Sequence, residues 1–376
     1  MKRILYILLM FAFSILSACT KHAIDSESPT PDSSRSYIFF EPQVINTSAT
    51  KAEILTSTSL PSELGTAFGI IGYYGTNSLF GAQTASNKGI APVALTSAGV
   101  FEYTPLVPWQ GVNSHVFYAF YPYSLNDSGS AHNVVNGGAN PYLSYTQPAS
   151  NNGMIDILTA KTSTTKAQVY ASGVDVPIVF YHRLWALEIK IINSQTSGLG
   201  ADGHVGNTAV PLTITGVNLK VKGHPSGAKI YLDPEAVADL NKDANGQVRC
   251  HGECTYELPL TIATGDVIAA PTVIDSKTKF SDKTYGHLLF IPGGTFEYKV
   301  EISYKDAANN PLKLETDYIV SKTQFVAGNK YTLVINKTPD TFIVGKYHDP
   351  DDDEEDNNDD FEVGDWKNVS VSHTFN

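Results

Sequence analysis

The chain has 376 residues, of which 42% are hydrophobic and only 17% charged, below the roughly 25% charged fraction of an average soluble protein. Glycine (29), proline (20), tyrosine (20) and phenylalanine (17) are plentiful while methionine and tryptophan number three each, which excludes a helical bundle and reads as all-β. The net charge of −12 excludes a general nucleic-acid binder and electrostatic attraction to an anionic membrane.

Met1-Lys2-Arg3 is basic, residues 4–16 are apolar with one internal serine, and Leu16-Ser17-Ala18-Cys19 follows. A basic start, an apolar run of about 7–15 residues and small residues before a cut make a secretory signal peptide. The run is too short for the ~20 residues of a membrane-spanning helix. The tetrapeptide resembles a bacterial lipobox, so residues 1–18 are expected to be removed and Cys19 to carry lipid on its sulfur and its new amino terminus. At about 0.8 kcal/mol per buried methylene, two or three acyl chains make a lasting anchor in the outer membrane. Loss of Lys2 and Arg3 takes the net charge from −12 to −14.

Residues 19–36 carry Ser, Pro, Asp and Glu with almost no apolar side chain, the composition of a flexible tether. Order is expected from Tyr37 onward. Short β-rich runs follow at 67–74, 100–103, 116–121, 155–159, 174–181, 186–192, 212–221, 229–232, 256–262, 287–291, 296–304, 316–321, 330–335 and 341–344. Many alternate, as in Glu297-Tyr298-Lys299-Val300-Glu301-Ile302, which puts polar and apolar residues on opposite faces. This spacing predicts antiparallel β-sandwiches. One helix is expected at 233–240, with Asp233 as N-cap and Pro234 in the first turn. A Gly/Ser-rich break at 193–206 marks a seam, giving domains 37–183 and 184–376.

No Gly-x-Ser-x-Gly, His-Glu-x-x-His, phosphate-loop or dinucleotide glycine pattern is present, so the reading is not an enzyme and no cofactor is implied. Cys250-His251-Gly252-Glu253-Cys254 lacks the second ligand pair of a zinc site. Outside the cytoplasm, a three-residue hairpin loop centred on Gly252 predicts a Cys250–Cys254 disulfide. Residues 349–360 hold nine carboxylates in twelve positions. Dense like charge reads as a solvated linker, and the glycine and alternating ligands of an EF-hand loop are missing. Trp109, Trp185, Trp366 and Tyr73-Tyr74 read as core or cross-strand aromatics before a sugar-stacking platform.

Several segments in order resemble the fimbrillin family of lipoprotein pilin subunits: Ile38-Phe39-Phe40 through Thr50-Lys51-Ala52; Phe68-Gly69-Ile70-Ile71-Gly72-Tyr73-Tyr74; Trp109 with Tyr118-Ala119-Phe120-Tyr121-Pro122; Asp156-Ile157-Leu158-Thr159-Ala160 leading to Phe180-Tyr181-His182-Arg183-Leu184; Phe325-Val326-Ala327-Gly328-Asn329-Lys330-Tyr331; and Asp365-Trp366. The resemblance implies two tandem transthyretin-like β-sandwich domains and export as an outer-membrane lipoprotein. It also implies assembly into a surface pilus with other pilin subunits. In such a family a protease cuts after a basic residue beyond the first strand, and a strand from another subunit fills the groove left behind, by edge-strand addition. Here the displaced strand is 37–45 and the cut follows Lys51. The family's protease prefers arginine, and the nearest, Arg35, precedes the strand, so a stalk subunit cut after Lys51 and an anchor or tip with the lipid retained both stay open. Residues 361–376 are either a donor strand or the last strand of their own domain. A host glycan or protein receptor is the expected external partner. The second reading is a surface glycan-binding lipoprotein using Trp109 or Trp366.

Overall fold

The computed structural model describes residues 36–44, 53–54, 67–81, 88–126, 132–195, 210–274, 277–306, 308–338, 342–344 and 361–365. In the first half the principal strands are β1 (Phe40–Val44), β2 (Glu53–Ile54), β3 (Ala67–Tyr74), β4 (Ile90–Leu95), β5 (His115–Tyr121), β6 (Tyr142–Thr146), β7 (Leu158–Thr164) and β8 (Val176–His182). All except β6 join one sheet in the order β2-β1-β8-β7-β5-β3-β4, continued by the short strand Phe101–Glu102. Strands β3 and β5 are near-continuous apolar runs, as strands covered on both faces should be. Phe68, Ile70, Phe117 and Ala119 face one core, and Ile71, Tyr73, Tyr118 and Phe120 face another. The sheet curls around the first core until its ends meet, where Tyr37 bridges Pro108.

The second half supplies β9 (Trp185–Asn193), β10 (Leu212–Lys222), β11 (Gly227–Tyr231), β12 (Cys254–Leu258), β13 (Asp266–Ile268), β14 (Ser281–Phe290), β15 (Glu297–Lys305), β16 (Pro311–Glu315), β17 (Asn329–Lys337), β18 (Phe342–Val344) and β19 (Phe361–Asp365). One sheet runs β14-β9-β17, with β18 and β19 both on the far edge of β17; the other runs β12-β10-β15-β16, with β13 also paired to β10. Alternate residues of both, such as Leu187, Ile189, Val217, Leu219, Val300 and Leu333, share the second core. The alternation expected in 296–304 appears as β15, with Tyr298, Val300 and Ile302 at most 1% exposed.

The all-β reading holds. The strands, however, do not part at 183/184: β6 pairs with β11 from Tyr142↔Tyr231 to Thr146↔Gly227, and Tyr118, Phe120 and Leu143 belong to the same core as Leu187. The helix expected at 233–240 is absent. Asp233 instead accepts from the Glu235 N–H at 3.1 Å in a turn, Arg183 donates to the carbonyls of Pro234 and Ala236, and Asp239–Leu240 pairs with Ala228 and Lys229. A segment that turns at Asp233 and is paired as a strand at Asp239–Leu240 cannot also run as a helix over 233–240. The one α-helix among the described residues is α1 (Lys166–Ser172), started by a capping box between Thr165 and Gln168 and ended by Gly173 at φ 69°. It buries no side chain, so no apolar stripe marks it in the sequence.

Candidate functional site

In the first sheet, β1 is the strand laid parallel to its neighbour: Phe40 to Val44 pair in order with Val176 to Phe180 of β8, while the other described pairings of that sheet are antiparallel. Parallel pairing is slightly weaker per residue than antiparallel. On the other side, among the described residues, β1 pairs with β2, at Gln43↔Ile54 and Val44↔Glu53. The backbone alone therefore holds β1 less firmly than a central strand.

Side chains supply the rest. Ile38, Phe40 and Val44 point inward and are 0%, 4% and 6% exposed, each contributing about 1.5–3 kcal/mol of burial. The Phe40 ring packs edge-on to Phe117 at 5.3 Å and against Tyr103 at 5.6 Å. A strap at 103–109 closes over the residues leading into β1. Ile38 N–H donates to the Val107 carbonyl and Trp109 N–H to the Ser36 carbonyl, both at 3.0 Å. Tyr103 Oη donates to the Ile38 carbonyl at 2.9 Å, and burial pushes its phenol pKa up, against the hydrogen bond from Val107. On the outer side, burial and then the Asp175 charge raise the Glu41 carboxyl. The arrangement is a hydrophobic groove filled by a strand next to the sheet edge, with alternate side chains buried.

The second edge feature is at β17. Strand β18 pairs with Ile335–Lys337 and β19 with Asn329–Leu333, both antiparallel along the same edge. The chain runs along that edge through 342–344 and again, in the same direction, through 361–365. Residues 361–365 are therefore an edge strand of their own sheet in this structure.

Cys19, Lys51, Trp366 and the acidic run 349–360 lie outside the described residues. The expected disulfide is not formed: Cys250 and Cys254 are both free thiols. Cys254 begins β12 and shares its inward face with Tyr256 and Leu258. Cys250 stays at the surface, bridged to Pro225, with its thiol directed to the Val248 carbonyl at 3.6 Å. Burial raises the pKa of both thiols. Among the described residues no group of three His, Cys, Asp or Glu side chains is placed to hold a metal.

Trp109 is no exposed platform, since its ring packs against His115 at 4.9 Å and its backbone clasps Ser36. Trp185 is 2% exposed and stacks on Phe325 at 4.0 Å, the core role expected of it. In the sequence Tyr103 shows only as the end of the β-rich run 100–103, and Val107 only as part of the uncharged run from Tyr103 to Ser114.

These features define an all-β protein whose curled sheet is completed by a parallel strand next to its edge. A family model described as fimbrillin-like matches residues 50–366, and the chain belongs to that family. Among solved structures it is similar to a candidate cell adhesion protein from Bacteroides uniformis, with 15% identity over 89% of this chain and 99% of that one and a TM-score of 0.45. It is also similar to a candidate cell adhesion protein from Bacteroides ovatus, with 13% identity over 83% and 95% of the two chains and a TM-score of 0.43. The fimbrial anchor protein Mfa2 from Porphyromonas gingivalis shares 11% identity over 82% and 95%, with a TM-score of 0.32. None of the curated proteins matches the sequence.

Proposed function

We propose that this chain is a structural or adhesive subunit of a cell-surface fimbria, exported as an outer-membrane lipoprotein through Cys19 and assembled by strand exchange. Membership of the fimbrillin-like family supports the fimbrial role. The observation that carries the exchange reading is β1 itself: a strand parallel to β8, flanked on its other side by the two-residue β2, with Ile38, Phe40 and Val44 buried. Cleavage after Lys51 cuts β1 from the rest of the chain, leaving it held only by non-covalent contacts. A strand of another subunit with the same alternation then takes its place, gaining main-chain bonds to β8 and burial in the same pockets. The curled sheet plays the part of the first transthyretin-like domain and the sheets around the second core that of the other. A host glycan or protein receptor is engaged by the assembled fibre, and no catalytic step is involved.

Mass spectrometry of the cell-surface protein tests this. An amino terminus at Ala52 in fibres supports a polymerising subunit, and an acylated Cys19 in fibres supports an anchor. A protein found solely as an acylated monomer outside fibres overturns the fimbrial reading. Deletion of 361–376 tests the second edge: a monomer that folds but does not polymerise identifies a donor strand, and one that fails to fold assigns the segment to its own sheet alone.

A further inference from the structure

Strand β10 is the spine of the β12-β10-β15-β16 sheet, and one side of it is interrupted. Its residues Leu212–Ile214 pair with β13 and Val217–Val221 with β12, so no strand pairs with Thr215 and Gly216 on that side among the described residues. A bulge against β15 lies at the same place, between Ile214 and Gly216. A cleft of about 700 Å³ opens there, reaching from Thr215 across the end of β12 to the loop at Asn151. That volume falls in the range of small-molecule sites, roughly 300–1,000 Å³.

The polar lining is unspent. Asn218 and Glu257 are directly opposite each other on the outer face. Among the described residues, the side chains of Thr215, Asn218, Thr255 and Glu257 have no hydrogen-bond or ion-pair partner. Neighbouring carboxylates of the same sheet are all paired. Lys222 holds Glu297 at 2.7 Å, Lys220 and Lys313 hold Glu301 at 2.5 and 3.2 Å, and Lys299 holds Glu315. Asn151 is anchored by donating its side-chain N–H to the Glu257 carbonyl, which fixes one wall and leaves its Oδ1 available. Pro259, Leu260 and Ala263 supply an apolar strip along the same cleft.

The lining contains amides, hydroxyls and one carboxylate, and no Lys, Arg or His. A phosphate, sulfate or carboxylate ligand would meet Glu257 with no cation to offset it. A ligand that offers many hydroxyls, each both donor and acceptor, with C–H faces between them matches every part of the lining. We propose that this cleft binds a neutral oligosaccharide, with Glu257 accepting from sugar hydroxyls, Asn218 and Thr255 bonding beside it, and the 259–263 strip covering a sugar face. The site is separate from β1, so strand exchange and sugar binding stand or fall independently.

The full chain is tested on an array of neutral hexose and N-acetylhexosamine oligosaccharides alongside their sialylated and sulfated counterparts. The strongest neutral binder is then titrated calorimetrically. Neutral glycans are expected to bind, with Glu257→Gln and Asn218→Ala each weakening binding at least about tenfold and Thr215→Trp abolishing it by filling the cleft. Glu257→Gln is isosteric and exposed, so it stays informative if the tryptophan variant misfolds. Absence of neutral glycan binding, preference for the anionic set, or unchanged affinity in Glu257→Gln and Asn218→Ala overturns the proposal. Loss confined to Trp109→Ala does so too. None of these outcomes alters the amino-terminal mass that tests strand exchange.

Discussion

The phenolic hydroxyl of Tyr103 donates to the backbone carbonyl of Ile38 at 2.9 Å and accepts from the Val107 N–H at 3.2 Å. One side chain thus joins the strap to the segment that enters β1. Tyr103→Phe removes both bonds and keeps the ring against Phe40. The expected cost is about 1–2 kcal/mol, confined to the edge. Hydrogen exchange of the Phe40–Val44 amides should accelerate roughly fivefold to thirtyfold with little change in β5. Equal protection in the variant would mean that burial alone retains β1.

Gly69 of β3 pairs with Phe120 of β5, and a Cβ built on Gly69 would lie 2.0 Å from the Phe120 ring. Phe120 is 0% exposed and stacks on Tyr123 at 6.3 Å, so the ring has nowhere to move. Gly69→Ala is therefore an overpacking change, expected to destabilise by about 1–3 kcal/mol. In urea, Phe120→Leu combined with Gly69→Ala should recover part of the loss relative to the sum of the single variants. Strict additivity would place the strain elsewhere.

Glu188 on β9 is gripped from two neighbouring strands: Thr332 Oγ1 donates to it at 2.8 Å, Lys330 lies 3.1 Å away and His287 Nε2 3.0 Å away. Burial pushes its carboxyl up, but the bonds from His287, Thr332 and Lys330 outweigh that and bring it down to about 2. A depressed carboxyl stabilises the fold above its ordinary value of about 4.3 and loses that contribution as pH falls toward 2. Glu188→Gln is expected to cost about 1.5–3 kcal/mol at neutral pH. The gap between wild type and variant should close between about pH 4.5 and 2 in denaturant titrations. A constant gap across that range would show that shape, not charge, is what the pair of strands requires.

Strand content was legible because β3, β5 and β15 each carry the pattern their burial demands: continuous apolar runs where both faces are covered, alternation where one is. Pairing partners were not. Nothing near Phe40 indicates that it lies beside Val176, since a parallel neighbour is chosen by the core and not by a local turn. The misread at 233–240 has the same origin: Asp233 and Pro234 are good helix starters, but Arg183, far away in sequence, takes the carbonyls. The cleft was invisible for a related reason. Asn218 and Glu257 become neighbours only through the register of β10 and β12, and neither belongs to a motif. Trp109 was visible as a special residue, and the structure gives it a different task from sugar stacking.

Acid should unfold the protein in a window set by its buried histidines. His224 is 2% exposed; its Nε2 lies 3.0 Å from the Tyr256 hydroxyl, which donates to the Pro148 carbonyl at 2.9 Å. His224 Nε2–H must then be the donor to Tyr256, and Nδ1, buried with no partner, has to stay unprotonated. Burial, and then the neighbouring His251, lower its pKa to about 4. Burial lowers His115 and His132 in the same direction. In the unfolded chain these side chains take up protons near 6.5, so between about pH 6.5 and 4 the unfolded state binds more protons than the folded one. Stability is therefore complete above about 6.5 and falls as pH drops toward 4. His224 alone accounts for about 3 kcal/mol of that loss. His224→Gln keeps a donor for Tyr256 without a titrating ring, and its urea midpoint should change visibly less between pH 6.5 and 4 than that of the wild type. A wild-type midpoint that is flat over this range would show that the buried rings are protonated at no cost, and would remove the histidines from any account of acid sensitivity.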